Sequence, residues 1–273
     1  MKEKSWNVTY PNGVIKYIDM FRKKYFQYPV FDKVVSKYID SNSIIQCKKI
    51  CSLGSGTGRH EVELAKLGYE VIGLERNEES LEIANKYIKQ NNVNVQLHKC
   101  DFLKEDELDN VMAIVGKVDA VVLLLIPISI SDYKKAAINM HKWINNGGVF
   151  IVDNFGYEDY INPNELKITS NCEVASDDDS YSLRINYYEY MNNIVNWDAI
   201  YLFYDEFGKL VMSRDHDILD IIPETQVNEI LNLNTTKYKT LNSYRVNECT
   251  KYICPPYLYE YIIGWLKSDE EDF

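Results

Sequence analysis

Glycine occupies every second position of Gly54-Ser55-Gly56-Thr57-Gly58, and the next apolar run, at 69–74, ends in the carboxylate of Glu75. A backbone without Cβ atoms can approach a ligand closely. A carboxylate one strand away can accept hydrogen bonds from both hydroxyls of a ribose. An apolar run at 48–53 leads into the loop, and a helix-like segment leaves it. Strand, glycine loop, helix, strand, acid is the order in which a doubly wound sheet builds a nucleoside-binding crevice. The spacing is not G-x-G-x-x-G, as a dinucleotide loop requires. Arg59-His60 follow where a phosphate-cradling loop would end in G-K-[ST].

The loop resembles motif I of the class I S-adenosyl-L-methionine-dependent methyltransferases, and further landmarks of that family follow in order across 45–155. Glu75, with Arg76 beside it, resembles the ribose-binding acid. Cys100-Asp101-Phe102, after the apolar run 93–97, resembles the pair that contacts adenine: the aspartate accepts from the exocyclic amine and the next side chain covers the ring. Residues 118–125 resemble the fourth strand, whose end near Leu124 lines the methyl-transfer site. Residues 145–153 resemble the turn and fifth strand, with Asn146 in place of the usual proline. One departure is Ser52, which stands two positions before Gly54 where many members carry an acid. The resemblance implies S-adenosyl-L-methionine as cofactor and S-adenosyl-L-homocysteine as product. Gly54, Ser55, Gly56, Gly58, Glu75, Arg76, Asp101, Phe102 and Leu124 are the implied cofactor contacts.

The elements that must position these residues follow from periodicity. Apolar runs at 48–53, 69–74, 93–97, 118–125 and 148–153 alternate with helical segments at 58–67, 78–90, 104–115 and 131–144. This is an α/β chain with a doubly wound, mostly parallel sheet buried on both faces, expected to have seven strands. Ahead of it, 1–44 read as a helical cap in which Val14, Tyr17, Ile18, Phe21 and Tyr25 recur at helical spacing, with a second helix over 31–39. In the resembling family such helices close over the cofactor, making Tyr17 and Tyr28 candidate contacts and Arg22 a candidate for the methionine carboxylate. Residues 156–222 change period. Runs at 181–190, 194–204 and 209–218 predict a three-stranded antiparallel lid with turns at Asn192-Asn193 and 206–209. Residues 223–273 return to a helix and two strands that complete the core sheet.

The lid resembles that of small-molecule N-methyltransferases, including amino-sugar N,N-dimethyltransferases. His216 matches their lid histidine, with Asp215 in place of its neighbouring acid. Methyl transfer from a sulfonium is an in-line displacement that needs an aligned nucleophile and no metal. An amine acceptor must also be kept neutral, which makes His216 the candidate catalytic group. Asp153, Asn154 and Tyr157, at the end of the fifth strand, are candidate acceptor contacts together with Asp215. His60 could sit near the cofactor, whereas His98 and His141 read as structural.

The expected function is methyl transfer to an amine of a small molecule or short peptide. O-methylation of a hydroxyl or carboxylate is the near alternative. An NAD-dependent oxidoreductase and a non-catalytic S-adenosyl-L-methionine-binding protein are the readings from other classes. A formal net charge of −11 argues against nucleic-acid binding, which needs a basic face. None of the six cysteines forms C-x-x-C, so reduced thiols in a cytoplasmic protein are expected. There is no apolar leader or stretch of about 20 apolar residues, so no membrane partner is read. Lid strands mediate dimers in similar proteins, which makes a homodimer the assembly to test.

Overall fold

The computed structural model describes residues 14–126, 128–158, 161–177, 180–205, 207–231, 233, 238–246 and 258–267. Cys249, Cys254, the acidic tail and part of the 176–180 linker lie outside these residues.

The core alternates as expected: β1 (Lys49–Leu53), α3 (Arg59–Lys66), β2 (Glu70–Glu75), α4 (Glu78–Asn91), β3 (Val95–Lys99), α5 (Glu105–Val115), β4 (Val118–Leu123), α6 (Ile130–His141) and β5 (Ile144–Tyr157). Local chemistry sets the helix ends. The Asn77 side chain accepts the Ser80 N–H at 2.9 Å at the start of α4, and Asn92 ends it in a left-handed conformation. Strands β1 to β5 pair in parallel in the order β3-β2-β1-β4-β5. The antiparallel β12 (Leu258–Lys267) adds to β5. Two short strands, β10 (Tyr238–Thr240) and β11 (Tyr244–Arg245), share the far edge of β12. Among the described residues the sheet thus has the seven expected strands in one path plus β11 as an eighth. The order reverses between β1 and β4, and a ligand crevice opens there, at the carboxyl ends of the strands.

Both sheet faces are covered. Ile50, Val71, Val122 and Ile151 pack under Phe31, Val35 and Ile39 of α2 (Tyr28–Asn42). Cys51, Ile72, Val121 and Phe150 pack under Leu108, Met112, Ala136 and Met140 of α5 and α6. β5 runs four residues beyond its expected end at Asp153, because β12 stays paired to it as far as Tyr157. No helix of the described residues is long and apolar enough to cross a membrane.

Among the described residues the lid has four strands where three were expected: β6 (Lys167–Ser176), β7 (Tyr181–Met191), β8 (Ile194–Tyr204) and β9 (Leu210–Asp220), antiparallel in that order. Asn192 and Asn193, with φ of 53° and 61°, make the two-residue turn whose twist matches the strands it joins. The inner face of the lid holds α1 (Val14–Tyr25). Tyr17, Ile18 and Phe21 pack on Ala199, Tyr201 and Phe203. The two N-terminal helices therefore do different work: α2 covers the core sheet and α1 bridges the core to the lid.

Candidate active site

The glycine loop follows β1 in a left-handed path, with φ of 67° at Gly54, 55° at Gly56 and 80° at Gly58. Its shape is fixed from β2. The Ser55 N–H donates to the Leu74 carbonyl at 2.9 Å, and the Gly56 N–H donates to Glu75 Oε2 at 2.9 Å. Glu75 Oε1 accepts the Asn77 N–H at 2.7 Å. The acid thus ties the loop to the start of α4 and keeps further lone pairs for a ligand.

A cleft of about 2200 Å³, counting its mouth, opens above these groups. Gly54, Ser55, Gly56, Glu75, Arg76, Asp101, Phe102, Leu124 and Tyr28 line it, as expected. Burial pushes the Tyr28 hydroxyl well above its ordinary pKa. Two expected contacts are corrected. Gly58 does not line the cleft; it caps α3, and a Cβ there would meet Ala84 of α4 at 3.0 Å. Tyr17 turns the other way, stacking on Phe203 with centroids 3.9 Å apart and donating to the Tyr204 carbonyl at 2.8 Å. The α1 residues that reach the cleft are Ile15, Ile18, Asp19 and Arg22. Buried Asp19 latches the helix down: it accepts from Thr57 Oγ1 at 2.7 Å and Arg59 Nε at 2.6 Å.

The cleft fits a nucleoside carrying an amino-acid tail. A Cβ at Gly56 would meet no atom nearer than 4.0 Å, so glycine there leaves open space against the ligand. Glu75 suits a ribose, and Asp101 with Phe102 suits an adenine. S-adenosyl-L-methionine bound here would supply an electrophilic methyl on its sulfonium.

Two buried groups follow the loop at the start of α3, and the first of them, His60, also lines the cleft. His60 Nδ1 is 2.8 Å from Asp32 Oδ1, with the rings of Phe26, Tyr28 and Phe31 around the imidazole. Burial pushes His60 down in pKa, but the charge and hydrogen bond of Asp32 outweigh it and the net shift is upward. Beside Ser52, α3 contributes a fully buried acid, Glu61. Burial raises Glu61 to about 7, against the opposing effects of His60 and the Ser52 hydroxyl.

A second cavity, of about 970 Å³ counting the space open to solvent, lies between the core and the lid. Asp153 and Asn154 of β5 form one wall, and Asp215, Asp217, Trp197 and Tyr201 of the lid form another. Of the expected acceptor contacts, Asp153, Asn154 and Asp215 are brought together here. Tyr157 is not; it packs beside Tyr188, Leu219 and Leu258. His216 is also corrected. It points out of the lid's opposite face, 44% exposed, with Nδ1 3.2 Å from Asp198 Oδ1. Successive strand residues alternate faces. Buried Asp217 and Leu219 fix β9 with 215, 217 and 219 inward, which sends 216 outward. Asp217 was not among the expected acceptor contacts, and this period-two alternation was the signal for it. His141 packs edge-on against Tyr238 at 4.9 Å, away from both cavities.

Comparison with known proteins agrees with this architecture. The family described as "Methyltransferase domain" matches residues 46–208. A probable S-adenosyl-L-methionine-dependent methyltransferase, TehB, of Haemophilus influenzae (strain 10810) is 35% identical over 77 residues. That match spans 28% of this chain and 26% of TehB, about a quarter of the curated relative's length. Among solved structures, the sugar N-methyltransferase KedS8 from Streptoalloteichus sp ATCC 53650 superposes with a TM-score of 0.69 at 14% identity, covering 98% of each chain. CalS10, an amino pentose methyltransferase from Micromonospora echinaspora solved with S-adenosyl-L-methionine bound, gives a TM-score of 0.62 at 15% identity over 96% of this chain and 99% of its own. At these identities the structural likeness speaks for the fold. With the family match covering more than half of the chain, the chain belongs to the methyltransferase-domain family.

Proposed function

We propose that the chain is an S-adenosyl-L-methionine-dependent methyltransferase that moves the methyl group to an amine of a small molecule or short peptide. The observation that carries this reading is the acceptor cavity, which adjoins the cofactor cleft and sets carboxylates of two elements, Asp153 on β5 and Asp215 and Asp217 on β9, against the ring of Trp197. Carboxylates and an aromatic face together suit an ammonium, by charge and by cation–π attraction. The names of KedS8 and CalS10, a sugar N-methyltransferase and an amino pentose methyltransferase, favour the same chemistry. The wall also holds Arg22 and Arg184, so a hydroxyl or carboxylate acceptor is the competing reading.

Acceptors matched in shape decide between them. Purified enzyme is given methyl-labelled S-adenosyl-L-methionine with pairs such as an amino sugar and its parent sugar. The amine member should gain the label and the hydroxyl member should not. Transfer to the hydroxyl member alone would replace N-methylation with O-methylation.

We also infer that two copies pair through the lid's outer face. Ile185, Tyr187, Ile194 and Met212 are exposed there, and one of its acids, Asp198, is paired with Arg214. On a chain of net charge −11, a largely apolar face is where a second copy can approach.

A further inference from the structure

Six residues line both the cofactor cleft and the acceptor cavity: Ile18, Arg22, Leu125, Ile126, Ile128 and Asp217. Asp217 is the only carboxylate among them. It is 7% exposed, and its Oδ1 has no hydrogen-bond partner among the described residues. A buried carboxylate oxygen left without a donor is costly unless a ligand supplies one. The residue stands where the two ligands must meet.

We propose that Asp217 is the proton acceptor for the incoming amine. This rests on the amine reading above. An amine arrives at neutral pH as an ammonium, whose nitrogen has no free electron pair. Asp217 takes one proton: an N–H bond breaks, an O–H bond forms on the carboxylate, and the pair remains on nitrogen. That pair forms the new N–C bond with the methyl carbon while the C–S pair stays with sulfur. The products are a methylated ammonium and a neutral thioether, and Asp217 returns its proton to solvent.

The surroundings suit the role. Burial, then the charge of Asp215, raise Asp217 to about 7, against the opposing Arg22. A base near neutrality is the efficient choice at neutral pH. The other charged or titratable groups on this cavity are Arg22 of α1, Tyr133 of α6, Asp153 of β5, Arg184 of β7, Tyr201 of β8, and Asp215 and Asp220 of β9. Arg184 is paired with Glu173, and both Asp153 and Asp215 are themselves raised by burial.

Sinefungin tests this without an acceptor. In this cofactor analogue an amine-bearing carbon replaces the sulfonium and its methyl, so its amine stands where the methyl would. Asp217→Asn should weaken sinefungin at least tenfold and leave S-adenosyl-L-homocysteine within twofold. The wild-type preference for sinefungin should grow as pH rises through about 7, as Asp217 ionises, and the variant should lose that dependence. Equal weakening of both ligands would make Asp217 a shape-keeping residue and overturn the proposal, as would no change in either. The substitution removes a buried charge, so an unchanged or raised melting temperature is the expected folding control. An acceptor assay separates the two readings. Wild-type enzyme that methylates no amine removes the amine reading. Amines methylated by Asp217→Asn as fast as by wild type at pH 7 overturn the proposal alone. The expected result is a loss of at least a hundredfold at pH 7 that closes above the pKa of the acceptor amine.

Discussion

Both oxygens of Asp153 accept the Leu125 N–H, at 2.9 and 3.0 Å, and Leu125 is held at a φ of 54°. A left-handed backbone at a non-glycine residue costs about 1–2 kcal/mol, and here the carboxylate of β5 secures it. Leu125 lines both cavities, so this bond shapes the passage between cofactor and acceptor. Asp153→Ala should destabilise the fold by about 1.5–3 kcal/mol, the range for a hydrogen bond to a charged group. Adding Leu125→Gly should recover part of the loss by removing the strain. Denaturant unfolding of the single and double variants checks this; equal stability of the two would contradict it.

Asp19 links α1 to the glycine loop through Thr57 and Arg59. Breaking a buried ion pair from one side costs about 3–5 kcal/mol, and the freed helix is the one that closes the cofactor cleft. Asp19→Ala should weaken S-adenosyl-L-homocysteine binding by at least tenfold and speed proteolysis within 14–25. Unchanged affinity would mean that α1 does not contribute to holding the cofactor.

Glu61 gives a pH signature. Its folded pKa, near 7, lies above the ordinary value of 4.5, so the native state binds this proton more tightly than the unfolded state. The stabilisation is complete below about 4.5 and is lost as pH rises through about 7. Glu61→Gln should flatten this fall and raise stability at pH 8 by about 1 kcal/mol or more, since each unit of displacement corresponds to about 1.4 kcal/mol. Unfolding free energies at pH 5.5 and 8 for both proteins test it. A steeper fall in the variant would contradict the assignment.

Light scattering should return twice the mass of one chain. Met212→Glu on the exposed face of β9 should give monomers with unchanged S-adenosyl-L-homocysteine affinity. A wild-type monomer at micromolar concentration would end the pairing reading.

The cofactor half of the site was legible because each landmark is local. A glycine loop, an acid ending β2 and an acid-aromatic pair after β3 each sit at the end of an apolar strand, and the sheet order brings them together. The acceptor half depends on facts that spacing alone does not carry. His216 and Asp217 differ by one position, and only the packing of the lid decides which of them faces inward. Tyr17 shares a helix face with Ile18 and Phe21, and the lid, not the cleft, covers that tyrosine. The sequence carries little signal for β6, because its outward residues mix Ile168 and Val174 with Ser170 and Cys172, which blurs the alternation.

The most direct test of the central claim is a calorimetric titration of wild type and Glu75→Ala with S-adenosyl-L-homocysteine and NAD. Glu75 sits at the loop, at 2.9 Å from the Gly56 nitrogen, where a ribose would meet it. Wild type should bind S-adenosyl-L-homocysteine at micromolar concentration and leave NAD unbound. The variant should lose about 1.5–3 kcal/mol of that binding, roughly 10- to 150-fold. Binding of NAD in place of S-adenosyl-L-homocysteine, or equal affinity in the variant, would contradict the account.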